Sequence, residues 1–301
     1  MNNKLRKAIK FLIPSRLAEI IRAFAPSLRT RKARLAFEPA GTEPGWLDYR
    51  YLEEYCAAYP PRPEYGYDSQ SVEKRGIAVG RNLIRSIPQR IASSLELGCS
   101  DGMVSLYLSS KNIAATAIDS NDARFDSRVS NSNVKLRTMD ARNLKFDDNS
   151  FDLVFSFNAF EHFEDPEKVL IEAIRVVKEH GYLFFDFGPL YYSAWGAHLY
   201  REIPVPFCHL LFKQADLERI AGDKNLGILD FKQTNGWSLD AFIGLWGKYS
   251  HLAKIVSYQE IPELSQTRLI SKHPACFKSK IDRFENLIIS RIRILLQKSA
   301  A

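Results

Sequence analysis

Three acids lie where a chain alternating strand and helix would place strand ends. They are Glu96, Asp119 and Asp140, the second falling 23 residues after the first. Glu96 opens the run Glu96-Leu97-Gly98-Cys99-Ser100-Asp101-Gly102, which reads as strand, tight turn and helix. Gly98 lets the backbone leave the strand and approach a ligand, and Gly102 relieves crowding where the helix starts. The small residues Cys99 and Ser100 leave room for a nucleoside-sized group, with helix N–H groups facing the turn. A carboxylate at Glu96 would repel phosphate, so the turn is a poor phosphate cradle. Asp119 suits two vicinal ribose hydroxyls, which are both donors. Read more plainly, each acid could instead cap the helix that follows it.

The spacing Glu-x-Gly-x-Ser-x-Gly resembles motif I of class I S-adenosylmethionine (SAM)-dependent methyltransferases, of type 11, whose usual form is D/E-x-G-x-G-x-G. Ser100 departs from it by standing where the middle glycine usually sits. The run Phe151-Asp152-Leu153-Val154 continuing to Asn158-Ala159-Phe160-Glu161-His162 is similar to the "FDLV…N.LEH" stretch of the small-molecule members. The resemblance covers about residues 75–190. It implies S-adenosyl-L-methionine as cofactor, held by Glu96, Gly98, Cys99, Ser100, Gly102, Asp119, Ser120, Asp140, Ala141 and Asn158. In that pattern Asp140 faces the adenine amine, Ala141 offers its backbone N–H, and the stretch after Phe157 passes the methionine end.

Residues 188–213 are too long for an ordinary connection and carry aromatics, prolines, His198 and His209, as expected of a lid that selects the acceptor. They resemble a segment of bacterial methyltransferases from glycan and lipopolysaccharide gene clusters. His198, His209 and His162 are the candidate general bases. Each could equally order the lid or shape the pocket. A histidine pair lacks a third metal ligand at useful spacing, so no metal is expected. The acceptor expected is a small molecule or a saccharide or lipid-linked precursor, methylated on a hydroxyl. RNA methylation is the rival. Against it, Ser156-Phe157-Asn158-Ala159 is no Asn-Pro-Pro-Tyr tetrad. A Rossmann dehydrogenase or a non-catalytic scaffold remains open.

The elements that would carry these residues are strands at 93–98, 113–118, 134–139, 151–157, 182–187 and 226–232. Helices are expected at 71–87, 102–110, near 121–128, at 166–179, at 214–222 and at about 280–297. The last has Ile281, Phe284, Ile288, Ile292 and Leu295 on one side. Strand–helix alternation predicts a Rossmann-like, doubly wound, mostly parallel seven-stranded α/β sheet. An N-terminal helical arm and a C-terminal helical extension would flank it. The expected organisation is a basic arm (1–37), an extended wrap (38–70), the SAM-binding domain (71–236) and the extension (237–301).

The 301 residues, 46% hydrophobic and 12% aromatic, suit a globular chain and exclude disorder. No apolar run reaches the roughly 20 residues of a spanning helix, and no secretory signal is evident. Cys56, Cys99, Cys208 and Cys276 form no CxxC, which suits free thiols in a cytoplasmic protein. Residues 1–34 hold ten Lys/Arg and one acid, a net of +9 against +7 for the whole chain, so the body carries −2. A near-neutral body disfavours nucleic acid. Two amphipathic segments in the arm, Leu5-Ile9-Leu12-Ile13 and Leu17-Ile20-Ile21-Phe24, allow peripheral contact with an anionic membrane. The sequence gives no sign of oligomeric state.

Overall fold

A computed structural model describes residues 30–60 and 66–300 of the chain. Both amphipathic segments of the expected arm lie outside these residues. The segment 30–37 is helical, and Ala33 and Phe37 are buried in the main core.

Seven strands form one sheet: β1 Ser93–Leu97, β2 Ala114–Asp119, β3 Lys135–Thr138, β4 Phe151–Phe157, β5 Val177–Phe187, β6 Ala253–Pro262 and β7 Ile289–Lys298. Their order is β3-β2-β1-β4-β5-β7-β6. Pairing is parallel from β3 through β5, and β7 runs antiparallel to both β5 and β6. Strand order reverses between β1 and β4, where an open α/β sheet leaves a crevice at its carboxyl edge.

The central strands are apolar on both faces because helices cover both. Along β4, Leu153 and Phe155 enter one cluster while Val154 enters the other. Along β5, Tyr182 and Phe184 go one way, and Leu183, Phe185 and Phe187 the other. This is the period-two alternation of a strand buried on both sides. Helix Ser69–Ser86 is capped by the Asp68 side chain. Helix Pro166–Val176 is capped by Asp165 and has proline in its first turn, a position where the missing N–H costs nothing.

Several expected elements differ. Residues 226–232 are loop, with Ile228 fully exposed. The expected helix at 280–297 is a single turn, Glu285–Ile288, followed by β7. Ile292, Ile294 and Leu296 are buried with arginine or leucine between them, so the period is two. The helix-like spacing of Ile281, Phe284 and Ile288 ends where β7 begins. The sheet thus takes in two strands from the expected C-terminal extension. The expected wrap contains helix Tyr49–Ala58, capped by Asp48. Near 121–128 only one turn, Ser127–Ser130, is helical. Residues 188–213 are not a loose flap, because Leu190, Leu199, Ile203, Val205, Phe207 and Phe212 are buried in the main core.

Candidate active site

The turn after β1 begins the site. Gly98, Ser100 and Gly102 all have left-handed φ, at 70°, 51° and 76°. A Cβ on Gly98 would stand 2.5 Å from the Ala159 Cβ, so only glycine lets β1 turn this close to the loop after β4. Ser100 takes a conformation that costs a non-glycine residue about 1–2 kcal/mol. Its amide donates to Asp119 Oδ2 at 2.8 Å, a charge-assisted bond that offsets the strain. The amides of Gly98 and Cys99 both donate to the Ile118 carbonyl, tying the turn to β2.

The three acids differ in environment. Glu96 is buried, and its Oε2 accepts from the Ser105 amide at 3.2 Å and hydroxyl at 2.6 Å. Burial pushes its pKa up to about 8. Asp140 lies on the rim, where the Arg142 backbone and guanidinium hold it and lower its pKa. Asp119 holds the turn through Ser100. The Cys99 thiol is raised by burial and by the negative charges of Glu96, Asp119 and Asp101, so it is no reactive thiolate.

These residues open on one cavity of about 1190 Å³. Its lining includes Glu96, Gly98, Asp119, Ser120, Asp140 and Ala141, and also Glu161, His162, His198, Tyr200, Arg201 and Arg291. Cys99, Ser100 and Asn158 line it as well. Its volume exceeds the roughly 300–1,000 Å³ of pockets that hold one drug-sized ligand. Residues 95–185 match the family described as "Methyltransferase domain".

The chain carries a methyltransferase domain. The match takes in the glycine turn, all three acids and the loop after β4. No curated protein matches the chain. Solved structures that resemble it include a SAM-dependent methyltransferase from Methanosarcina mazei, at 18% identity and a TM-score of 0.45, covering 73% of this chain and 98% of that one. The PH0226 protein from Pyrococcus horikoshii OT3 gives 17% identity and 0.47, with 82% and 99% covered. The YcgJ protein from Bacillus subtilis gives 14% and 0.46, with 76% and 99% covered.

The cofactor of this methyltransferase is S-adenosyl-L-methionine, and the residues present fit it. Gly98 lines the cavity with its backbone, because Ala159 leaves no room for a Cβ there. Three carboxylates line the same cavity, which suits a ligand with ribose hydroxyls, an amine and a positive sulfonium. All ten residues expected to meet the cofactor belong to the turn or line the cavity. Gly102 does so as the left-handed residue preceding helix Met103–Ser109.

The three histidines separate. His162 and His198 both line the cavity, with ring centroids 4.8 Å apart and planes at 82°. Burial, then the His162 charge, holds the His198 pKa down at about 4, which makes it a weak base. His209 does not line the cavity. Its Nε2 bonds the Tyr191 carbonyl at 2.6 Å, while Nδ1 is enclosed with no partner among the described residues. This bond ties the ring into residues 188–213, away from the cavity lining.

Among the described residues, the sequence pattern did not point to five pocket arginines, Arg75, Arg124, Arg142, Arg201 and Arg291, or to Tyr67. Arg124 and Arg201 approach the Tyr67 ring to 4.9 and 5.3 Å and donate to its hydroxyl at 3.5 and 3.3 Å. Arg142 clamps Asp140. Arg291 of β7 donates to Asn158 Oδ1 at 2.6 Å and pairs with Asp186. Local sequence carried no signal for Arg291, because its role depends on β7 lying beside β5.

Proposed function

We propose that this methyltransferase acts on a hydroxyl of a saccharide or lipid-linked acceptor that also carries negative charge. The observation that carries this reading is the part of the cavity lined by Glu161, His162, His198, Tyr200, Arg201 and Glu202, which we take as the acceptor end. Tyr200 brings an aromatic side chain to this lining, suited to packing beside a sugar ring. Arg124 and Arg201, positioned by Tyr67, offer cations to a phosphate or carboxylate.

The cofactor, when bound, supplies an electrophilic methyl group. Asp119 and Ser120 would hold its ribose, Asp140 and Ala141 its adenine, and the Glu96–Gly102 turn with Asn158 its methionine end. The protein's remaining work is to align the acceptor oxygen with that methyl, exclude water and deal with the hydroxyl proton. The Glu161–His162–His198 face is placed for the last task.

The test supplies radiolabelled cofactor to the full chain with separate fractions of saccharides, lipid-linked sugars and RNA. Label entering a saccharide or lipid-linked fraction is expected. In that reaction Arg201→Ala should raise the acceptor KM about 10–50-fold, in keeping with hydrogen bonds to a charged group, and leave cofactor affinity unchanged. Label confined to RNA would overturn the reading.

A further inference from the structure

We propose that Glu161, His162 and His198 form a binding site for a divalent transition-metal ion at the acceptor end of the cavity. One carboxylate oxygen and one nitrogen from each imidazole lie within 4.8 Å of one another. A tetrahedral metal with bonds of about 2.1 Å holds its donors about 3.4 Å apart. Closure from 4.8 Å therefore needs the widest pair to approach by about 1.4 Å, shared between the side chains by rotation. All three residues line the cavity, so the remaining coordination positions would face the acceptor.

The surroundings prepare each ligand. Glu161 is buried, and Gly188 N–H donates to its Oε1 at 3.0 Å while Oε2 has no partner among the described residues. His162 places Nδ1 against the Gln233 carbonyl, and His198 places Nε2 3.4 Å from the Pro189 carbonyl. A ring nitrogen that donates to a backbone carbonyl leaves the other with its lone pair outward, as in the outer shell of many metal histidines. His162 Nε2 is 4.0 Å from Glu161 Oε1. Two imidazoles and one carboxylate suit zinc, cobalt, manganese or iron(II) better than calcium or magnesium.

The chain lets the two histidines meet only in three dimensions. His162 and His198 are 36 residues apart, and the core-anchored segment 188–213 brings the second to the first. The metal's service to an acceptor oxygen rests on the proposed function, but its binding does not.

The test titrates tag-free full chain with Co²⁺, reading visible absorption, and with Zn²⁺ by calorimetry. Cofactor affinity is measured on the same samples. One ion per chain with micromolar affinity is expected. His162→Gln, His198→Gln and Glu161→Gln should each weaken it at least 10-fold, and His209→Gln should not. Retained cofactor affinity identifies variants that still fold. Should Glu161→Gln fail to fold, the two histidine variants decide. Absence of saturable binding below 1 mM, or binding unchanged in both histidine variants, overturns the proposal. Wild type that binds metal but not cofactor would count against the functional reading and leave the metal site standing.

Discussion

Glu96 shows how a single side chain is set by its surroundings. Its carboxyl lies among the core of β1, bonded to Ser105, and burial lifts its pKa to about 8. A folded-state pKa above the unfolded carboxylate value of about 4.3 means the native state holds the proton more tightly. The associated stability is complete below about pH 4 and is lost as pH rises through about 8. The melting temperature should therefore fall between pH 6 and pH 9 in wild type, and Glu96→Gln should flatten that decline. Differential scanning fluorimetry across this range checks it, and equal slopes would show that Glu96 is not the titrating group. Glu96, Asp119 and Asp140 were legible as residues because acids at strand ends read from spacing alone. Their partners were not. Ser105, Ser100 and Arg142 bond them through a turn and a helix start whose geometry no spacing rule encodes. The place of His209 outside the cavity lining was illegible for a related reason, since a histidine on a long loop looks alike whether it faces a cavity or the Tyr191 carbonyl.

The turn between β1 and helix Met103–Ser109 works because Gly98 and Ser100 carry different constraints. Gly98 is limited by space as well as by φ, with Ala159 2.5 Å from any added Cβ. Ser100 is limited by φ alone and is compensated by Asp119. Gly98→Ala should destabilise the fold by at least about 2 kcal/mol, from strain plus overpacking, and abolish measurable cofactor binding. Ser100→Gly relieves strain but adds freedom to the unfolded chain. It should change stability by less than about 1 kcal/mol and cofactor affinity by less than about threefold. Chemical denaturation with calorimetric titration separates the two, and a large loss in Ser100→Gly would mean the hydroxyl itself is needed. Elements this dense in apolar residues read well, and β4 matched its expected span because both its faces are covered. β7 did not read, because Ile281, Phe284 and Ile288 set up a helical rhythm just before the strand. β6 is an edge strand with Ile255 and Val256 exposed and an irregularity between Ile255 and Ser257, so its alternation is blurred.

Across the whole molecule charge is divided between the catalytic body and the basic N-terminal stretch. Several of the body's own basic side chains, Arg124, Arg201 and Arg291 among them, line the cavity. Among the described residues no helix is long and apolar enough to cross a membrane. The sequence of residues 1–34 carries +9 and two runs of periodically spaced apolar residues, and amphipathic basic segments of that kind bind interfaces by shallow burial plus attraction to anionic headgroups. We propose that this stretch brings the cavity to a membrane surface where a lipid-linked acceptor is presented. Each basic residue near such a surface contributes on the order of 1 kcal/mol, so the attraction should weaken with salt. Liposome flotation tests the idea with the full chain and with a chain lacking residues 1–29, which keeps the core residues Ala33 and Phe37. The full chain should float with vesicles rich in anionic lipid and be released by high salt. The shortened chain should stay in solution with its cofactor affinity intact. Both chains staying in solution, with the full chain shifting RNA at physiological salt, would place the basic stretch on nucleic acid instead. RNA binding shows the same salt sensitivity, so the polyanion that is bound, and not the salt response, separates the two.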